Sequence, residues 1–140
     1  MRPASIRRLA PQRYRLEAAK CSKCGKLHFP PRLICDSCHG REFVKVKLGR
    51  KGRVVTYTVV HIGPSQFQDI TPYAVAIVEL DEGVRLTCQV TDVAPFTASV
   101  HGEPQELRSG MRVKLEFRRI QADGESGLIA YAYKAVPDES

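Results

Sequence analysis

Between Cys21 and Cys38 the chain reads C-S-K-C-G-K-L-H-F-P-P-R-L-I-C-D-S-C, two C-x2-C pairs with ten residues between them. No other stretch restricts the fold as much. Each pair makes a tight knuckle that aims two thiolates at one point, and two knuckles complete a tetrahedral, all-sulfur site of the kind structural zinc occupies. Gly25 follows the first pair directly, where a knuckle needs a residue tolerant of positive φ, and Gly40 follows the second pair two positions on. Four thiolates leave no open ligand position. Cys21, Cys24, Cys35 and Cys38 are therefore expected to hold a structural Zn2+, an interaction worth about 10 to 16 kcal/mol in modules of this kind.

Other uses of these cysteines fit less well. Disulfides need an oxidising compartment, and no apolar signal-peptide segment precedes the pairs. Cys35-Asp36-Ser37-Cys38-His39 matches the C-x-x-C-H pattern of covalent haem attachment, but that chemistry leaves Cys21 and Cys24 without a role. A redox C-x-x-C belongs in a βαβ setting, and no such alternation is visible. With four cysteines present, His28 and His39 are expected at the surface rather than as ligands.

A chain of 140 residues has room for a small metal module joined to one compact partner domain. Hydrophobic residues at 43% and charged residues at 26% are those of a soluble globular protein. No window approaches the ~18 apolar residues of a membrane span. Arg2, Arg7 and Arg8 give the N-terminus a superficial likeness to a mitochondrial presequence, but Pro3 and Pro11 interrupt the helix such a signal needs, so a cytoplasmic location is expected. The net charge of +7 is unevenly spread: residues 1–53 carry fifteen Lys and Arg against three acids, and residues 54–140 seven against twelve. Two electrostatically different modules meet near Gly52. A basic module of this kind suits a nucleic acid backbone, a phosphorylated cofactor or an acidic protein surface.

In chain order, residues 1–12 read as an N-terminal arm with at most a turn or two of helix between Ser5 and Ala10. Alternation from Tyr14 through Leu16 and Ala18 predicts a strand into the first knuckle. Leu27 to Phe29 is a second extended piece, ended by Pro30-Pro31 at an edge or corner, and Phe43, Val46 and Leu48 mark a third strand. These pieces make residues 13–49 a rubredoxin-like zinc ribbon. Residues 50–140 change to β-branched strands: Val54 to Ile62, Tyr73 to Leu80 and Val84 to Val90 as a meander, then Met111 to Ile120 and Leu128 to Ala135 as a hairpin turning at Ala122-Asp123-Gly124. Residues 91–110 between them are irregular. Five strands in this arrangement predict a mainly β chain whose second module is a five-stranded OB-fold barrel; periodicity leaves another five-stranded sandwich open.

Several local runs carry a family likeness. Gln12-Arg13-Tyr14-Arg15-Leu16, Cys21-x2-Cys24-Gly25, Phe29-Pro30-Pro31-Arg32, Cys35-x2-Cys38, Val55-Thr56-Tyr57-Thr58-Val59-Val60-His61, Thr71-Pro72-Tyr73, Val78-Glu79-Leu80-Asp81-Glu82-Gly83, Gly110-Met111 and Gly127-Leu128-Ile129 resemble the family of zinc-ribbon plus OB-fold proteins first catalogued as a domain of unknown function. The likeness covers nearly the whole chain. It implies a non-catalytic accessory or scaffold subunit of a thiolase-superfamily acyl-CoA enzyme, in a hetero-oligomer. Archaeal members bridge an acetoacetyl-CoA thiolase and a hydroxymethylglutaryl-CoA synthase, and bacterial relatives pair with degradative thiolases or aldolases. Many members carry a longer N-terminal helix than this arm suggests. Coenzyme A bears phosphates that suit Arg and Lys, so Arg13, Arg15, Lys23, Lys26 and Arg32 are candidates to border a CoA thioester in a partner's channel. Lys23 and Lys26 equally suit a duller role, offsetting the charge of a four-thiolate centre.

The alternative is a nucleic-acid-binding module, since both folds serve that end elsewhere. The net negative charge of residues 54–140 argues against a basic groove on the barrel, so nucleic acid is the weaker reading. Cys88 alternates with Leu86 and Val90 and reads as a core residue; His61 reads as a half-buried strand cap. Tyr57 and Tyr73 suit either an exposed barrel face or a core. His101, Glu103 and Glu106 form no paired constellation. No phosphate loop, nucleophile with base, or carboxylate pair is visible, which argues against an independent enzyme.

Overall fold

The computed structural model of the chain describes residues 3–94, 105–122, 124 and 127–138. It begins with a helix, α1 (Pro3–Arg15), where a turn or two and then a strand were expected. Pro3 stands in the first turn, where its missing N–H costs nothing, and Arg13 and Arg15 in the last turn suit the negative end of the helix dipole. Pro11 inside the helix forfeits a hydrogen bond and ordinarily costs about 3 kcal/mol. Tertiary contacts offset it: the Tyr14 ring meets Phe117 edge-on at 5.0 Å, and the Tyr14 carbonyl accepts the Tyr133 hydroxyl at 2.8 Å. Leu16, at φ 51, then turns the chain out of the helix. The alternation at Tyr14 and Leu16 reflects contact with the barrel rather than strand pairing.

Strands β1 (Glu17–Cys21), β2 (Leu27–His28) and β3 (Phe43–Lys47) form an antiparallel sheet in the order β2-β1-β3. Its edge strand β2 stops just before Pro30-Pro31, as residues without a ladder donor require. The second sheet is a closed barrel of β4 (Lys51–Val60), β5 (Tyr73–Leu80), β6 (Arg85–Val90), β9 (Arg112–Ala122) and β10 (Ile129–Pro137). Closure runs β10-β6-β5-β4-β9, with β6 and β10 parallel at Val90 and Ala135 and the other pairs antiparallel. This is the predicted five-stranded mainly β architecture. A short 3-10 turn (Ser65–Ile70) fills the stretch between β4 and β5. β7 (Val93–Ala94) and β8 (Gln105–Glu106) pair in parallel beside the barrel; residues 95–104, including His101 and Glu103, lie outside the described residues, as does Asp123 of the expected turn.

Alternation decides what lies inside. Along β5 every second residue, Ala74, Ala76, Val78 and Leu80, is buried, and they meet Val113, Leu115 and Ala135 from β9 and β10. Small residues are needed because strands of a five-stranded barrel approach closely. The clearest case is Gly52, where a Cβ would run into the backbone of Glu79 and Leu80. The sequence places a junction there, but β4 already starts at Lys51. The same core continues into the ribbon through Leu16, Ala18 and Leu48, so ribbon and barrel share one apolar cluster. Burying a leucine such as Leu80 or Leu115 contributes about 2 to 3 kcal/mol. The Gly49 N–H donates to the Glu82 carboxylate at 2.6 Å, tying the junction to the β5–β6 turn.

Candidate metal centre

The two C-x2-C pairs adopt the same local fold. In the first, the Gly25 N–H donates to the Cys21 carbonyl at 2.9 Å and the Cys21 N–H to the Lys26 carbonyl at 2.9 Å. In the second, the His39 N–H donates to the Cys35 carbonyl at 3.0 Å and the Cys35 N–H to the Gly40 carbonyl at 2.9 Å. Gly25 and His39 hold the equivalent left-handed position, at φ 75 and 55. The second glycine is displaced by one residue because a Cβ on Gly40 would sit 3.3 Å from the Cys38 sulfur and 3.4 Å from that of Cys21. Gly40 keeps room for sulfur, while Gly25 supplies the turn.

The structure brings all four predicted ligands to one point. The sulfurs of Cys21 and Cys38, and those of Cys24 and Cys35, are 3.5 Å apart, and all four lie within 4.8 Å of one another. A tetrahedron of sulfurs at the Zn–S distance of ~2.3 Å has edges of about 3.8 Å, so the set fits a four-coordinate ion. Proton energetics point the same way. The Cys24 amide above all holds the Cys21 thiol down at about 7, and the Cys38 amide does the same for Cys35. Cys38 has the Gly40 amide favouring its thiolate, yet burial and the three other sulfurs push it up to about 12. Amides prepare anionic sulfur, and a cation is needed to hold four such charges together.

His28 was expected at the surface and is buried, with Nε2 lacking a hydrogen-bond partner. It pairs across the sheet with Ala19 and lies edge-on to Phe43, with ring centroids 5.8 Å apart. Its Nε2 is 3.8 Å from an Asp36 oxygen, and it favours the Cys35 thiolate. The sequence shows only that His28 lies in the extended Leu27-His28-Phe29 piece; that its side chain turns toward the second knuckle is set by the fold. His39 is exposed, as expected, and so is His61, which was expected to be half-buried.

The basic candidates divide into two groups. Lys26 donates to Ser37 at 3.0 Å and pairs with Asp36 at 2.8 Å, while Arg32 approaches Asp36 at 4.0 Å. The Lys26 ammonium holds the Asp36 carboxyl below its usual range, and Asp36 raises the Lys26 ammonium in return. Asp36 thus fixes these cations beside the second knuckle. Arg13 and Arg15 stand exposed on the last turn of α1, Arg15 reaching Glu17 at 3.6 Å. Lys23 is exposed inside the first knuckle. On the barrel, Cys88 is buried, and burial pushes its thiol up to about 12, as suits a core residue. Tyr57 is exposed, whereas Tyr73 is half-buried and edge-on to Phe67. No helix among the described residues is long and apolar enough to cross a membrane.

Comparison with known proteins agrees with this architecture. Residues 10–44 match the ChsH2 rubredoxin-like zinc ribbon domain and residues 45–118 the ChsH2 C-terminal OB-fold domain. A DUF35 domain-containing scaffold protein of Methanocaldococcus jannaschii is 42% identical over 130 residues, covering 92% of this chain and 86% of that protein. The benzoylsuccinyl-CoA thiolase subunit BbsA of Thauera aromatica is 30% identical over 119 residues, covering 85% and 74%. Among solved structures, a chain of the Ltp2-ChsH2(DUF35) aldolase superposes with a TM-score of 0.69 at 30% identity, over 96% of this chain and 92% of that one. On sequence, ribbon, barrel and cysteine cluster together, the chain belongs to the ChsH2 family of zinc-ribbon plus OB-fold proteins.

Proposed function

We propose that the chain is a non-catalytic scaffold subunit of a thiolase-superfamily acyl-CoA enzyme in the cytoplasm, folded around one structural zinc. The observation that carries this reading is similarity over 92% of the chain to a protein named a scaffold and over 85% of it to one named a thiolase subunit. Bound zinc fixes the two knuckles; it supplies no reaction, because Cys21, Cys24, Cys35 and Cys38 fill its coordination. Around it, Lys26 and Arg32 held by Asp36, with Lys23, Arg13 and Arg15, offer positive charge to the phosphates of a CoA thioester bound in the partner. The nucleic-acid reading gains less support, since residues 54–140 carry twelve acids against seven Lys and Arg.

The test is reconstitution. The chain is co-expressed with thiolase-superfamily proteins of its own source, and cleavage or condensation of acyl-CoA is measured with and without it. The expected result is a stable complex whose activity falls at least tenfold when the chain is omitted. Full activity of the partner alone with no association, or retention of nucleic acid in place of a protein, overturns the proposal.

A further inference from the structure

Where α1 meets the barrel, four rings form a shelf. Phe117 on β9 receives Tyr14 edge-on at 5.0 Å, Tyr133 edge-on at 5.5 Å and Tyr131 stacked at 5.7 Å. Phe117 is in phase with the buried Val113 and Leu115 on β9, yet it is 43% exposed, with Tyr131 at 42% and Tyr14 at 38%. Single exposed apolar residues are ordinary; three joined through Phe117 are a patch.

The rim of this patch is cationic. Arg119 pairs across the strands with Tyr131, and opposed residues share a face. Arg50 lies 5.3 Å from the centre of the Tyr133 ring, and Arg13 and Arg15 stand exposed in the last turn of α1 that carries Tyr14, with no acid in the helix and Arg15 reaching Glu17 just beyond it. Elsewhere on the barrel, charges cancel within the chain: Glu79 with Arg53 and Arg85, Asp81 with Arg112, Glu116 with Arg118 and Lys114. Arg13 and Arg119 make no ion pair among the described residues. A centre of Tyr and Phe inside an arginine rim is the composition of a protein interface core.

We propose that this shelf is the face through which the chain docks on its protein partner, and that the partner presents an apolar socket edged with carboxylates. The inference rests on the scaffold reading above and assigns it a place. A second copy of this chain is a poor occupant, because a two-fold pairing of the shelf would set arginine against arginine. A nucleic acid is a poor occupant too, because residues 54–140, which supply Phe117, Tyr131 and Tyr133, carry twelve acids against seven Lys and Arg.

The test uses the complex of the full chain with its thiolase-superfamily partner. Tyr131→Ser removes an exposed ring, Arg119→Glu reverses the rim charge, and Tyr57→Ser, a tyrosine of similar exposure at 39%, serves as comparison. Zinc content and melting temperature verify that each variant is folded, and dissociation constants are read by biolayer interferometry at two salt concentrations. Tyr131→Ser and Arg119→Glu are each expected to weaken binding tenfold or more and Tyr57→Ser less than twofold, with wild-type binding weaker at high salt. Unchanged binding of both shelf variants, or equal loss in Tyr57→Ser, overturns the location while leaving the partnership standing. A wild type that binds no such partner overturns both. A homodimer lost in Tyr131→Ser, or a single-stranded oligonucleotide bound by wild type and lost in Arg119→Glu, overturns the proposal in favour of that occupant.

Discussion

One of the two contacts that hold Tyr14 of α1 to the barrel can be removed by deleting one oxygen atom. Tyr133→Phe deletes the hydroxyl that donates to the Tyr14 carbonyl at 2.8 Å and keeps the ring between Phe117 and Arg50. That carbonyl lies in the last turn of α1, where helix carbonyls lack intrahelical donors. A neutral hydrogen bond contributes about 0.5 to 1.5 kcal/mol net. Tyr133 is buried, but Tyr14 is partly exposed, so water can replace the lost donor and the expected cost is about 1 kcal/mol. For a domain of this size that lowers the melting temperature by about 3 to 5 °C. Thermal unfolding measures the total, and amide hydrogen exchange locates it: amides in the last turn of α1 should exchange faster, and those of β5 should not. A variant as stable as wild type with unchanged exchange in α1 would refute the view that this bond offsets the strain of Pro11.

Other consequences follow from particular residues. Gly52→Ala puts a methyl group against the Glu79 backbone, so β4 and β5 must separate; a loss of about 3 kcal/mol in denaturant unfolding is expected. Arg53 first and then Arg85 hold the Glu79 carboxyl below its usual range. A depressed folded-state value means stability present above the ordinary carboxylate range and lost as pH falls through the folded value. The melting temperature of wild type should exceed that of Glu79→Gln at neutral pH and converge with it as pH falls through the depressed folded-state value of Glu79; a constant difference would contradict the ion pairs. Of the five cysteines, four cluster as the candidate metal ligands and Cys88 is buried with its thiol raised to about 12. A thiol reagent should read near zero in native protein, four after chelation and five after denaturation.

The cysteine spacing made the metal centre legible, because two knuckles of this length admit few geometries. Strand alternation did the same for the barrel, where Ala74, Ala76, Val78 and Leu80 mark its inside directly. Tertiary contact erased the signal elsewhere. Pro11 and the Tyr14/Leu16 alternation argued against a helix that Phe117 and Tyr133 hold from far along the chain, 119 residues away for Tyr133. His28 looked like a surface residue because nothing local shows that its strand faces the knuckles. The aromatic shelf was invisible for a related reason: Tyr14, Phe117, Tyr131 and Tyr133 come from three elements, and their burial depends on where the barrel ends. Charge distribution located the basic half but not its internal cancellation at Asp36.

Light scattering on a size-exclusion column, with zinc measured across the peak, tests the scaffold account most directly. The chain co-expressed with its thiolase-superfamily partner should elute as one hetero-oligomer carrying one zinc for each copy of this chain. Separate elution of a zinc-free monomer and a fully assembled, active partner would contradict it.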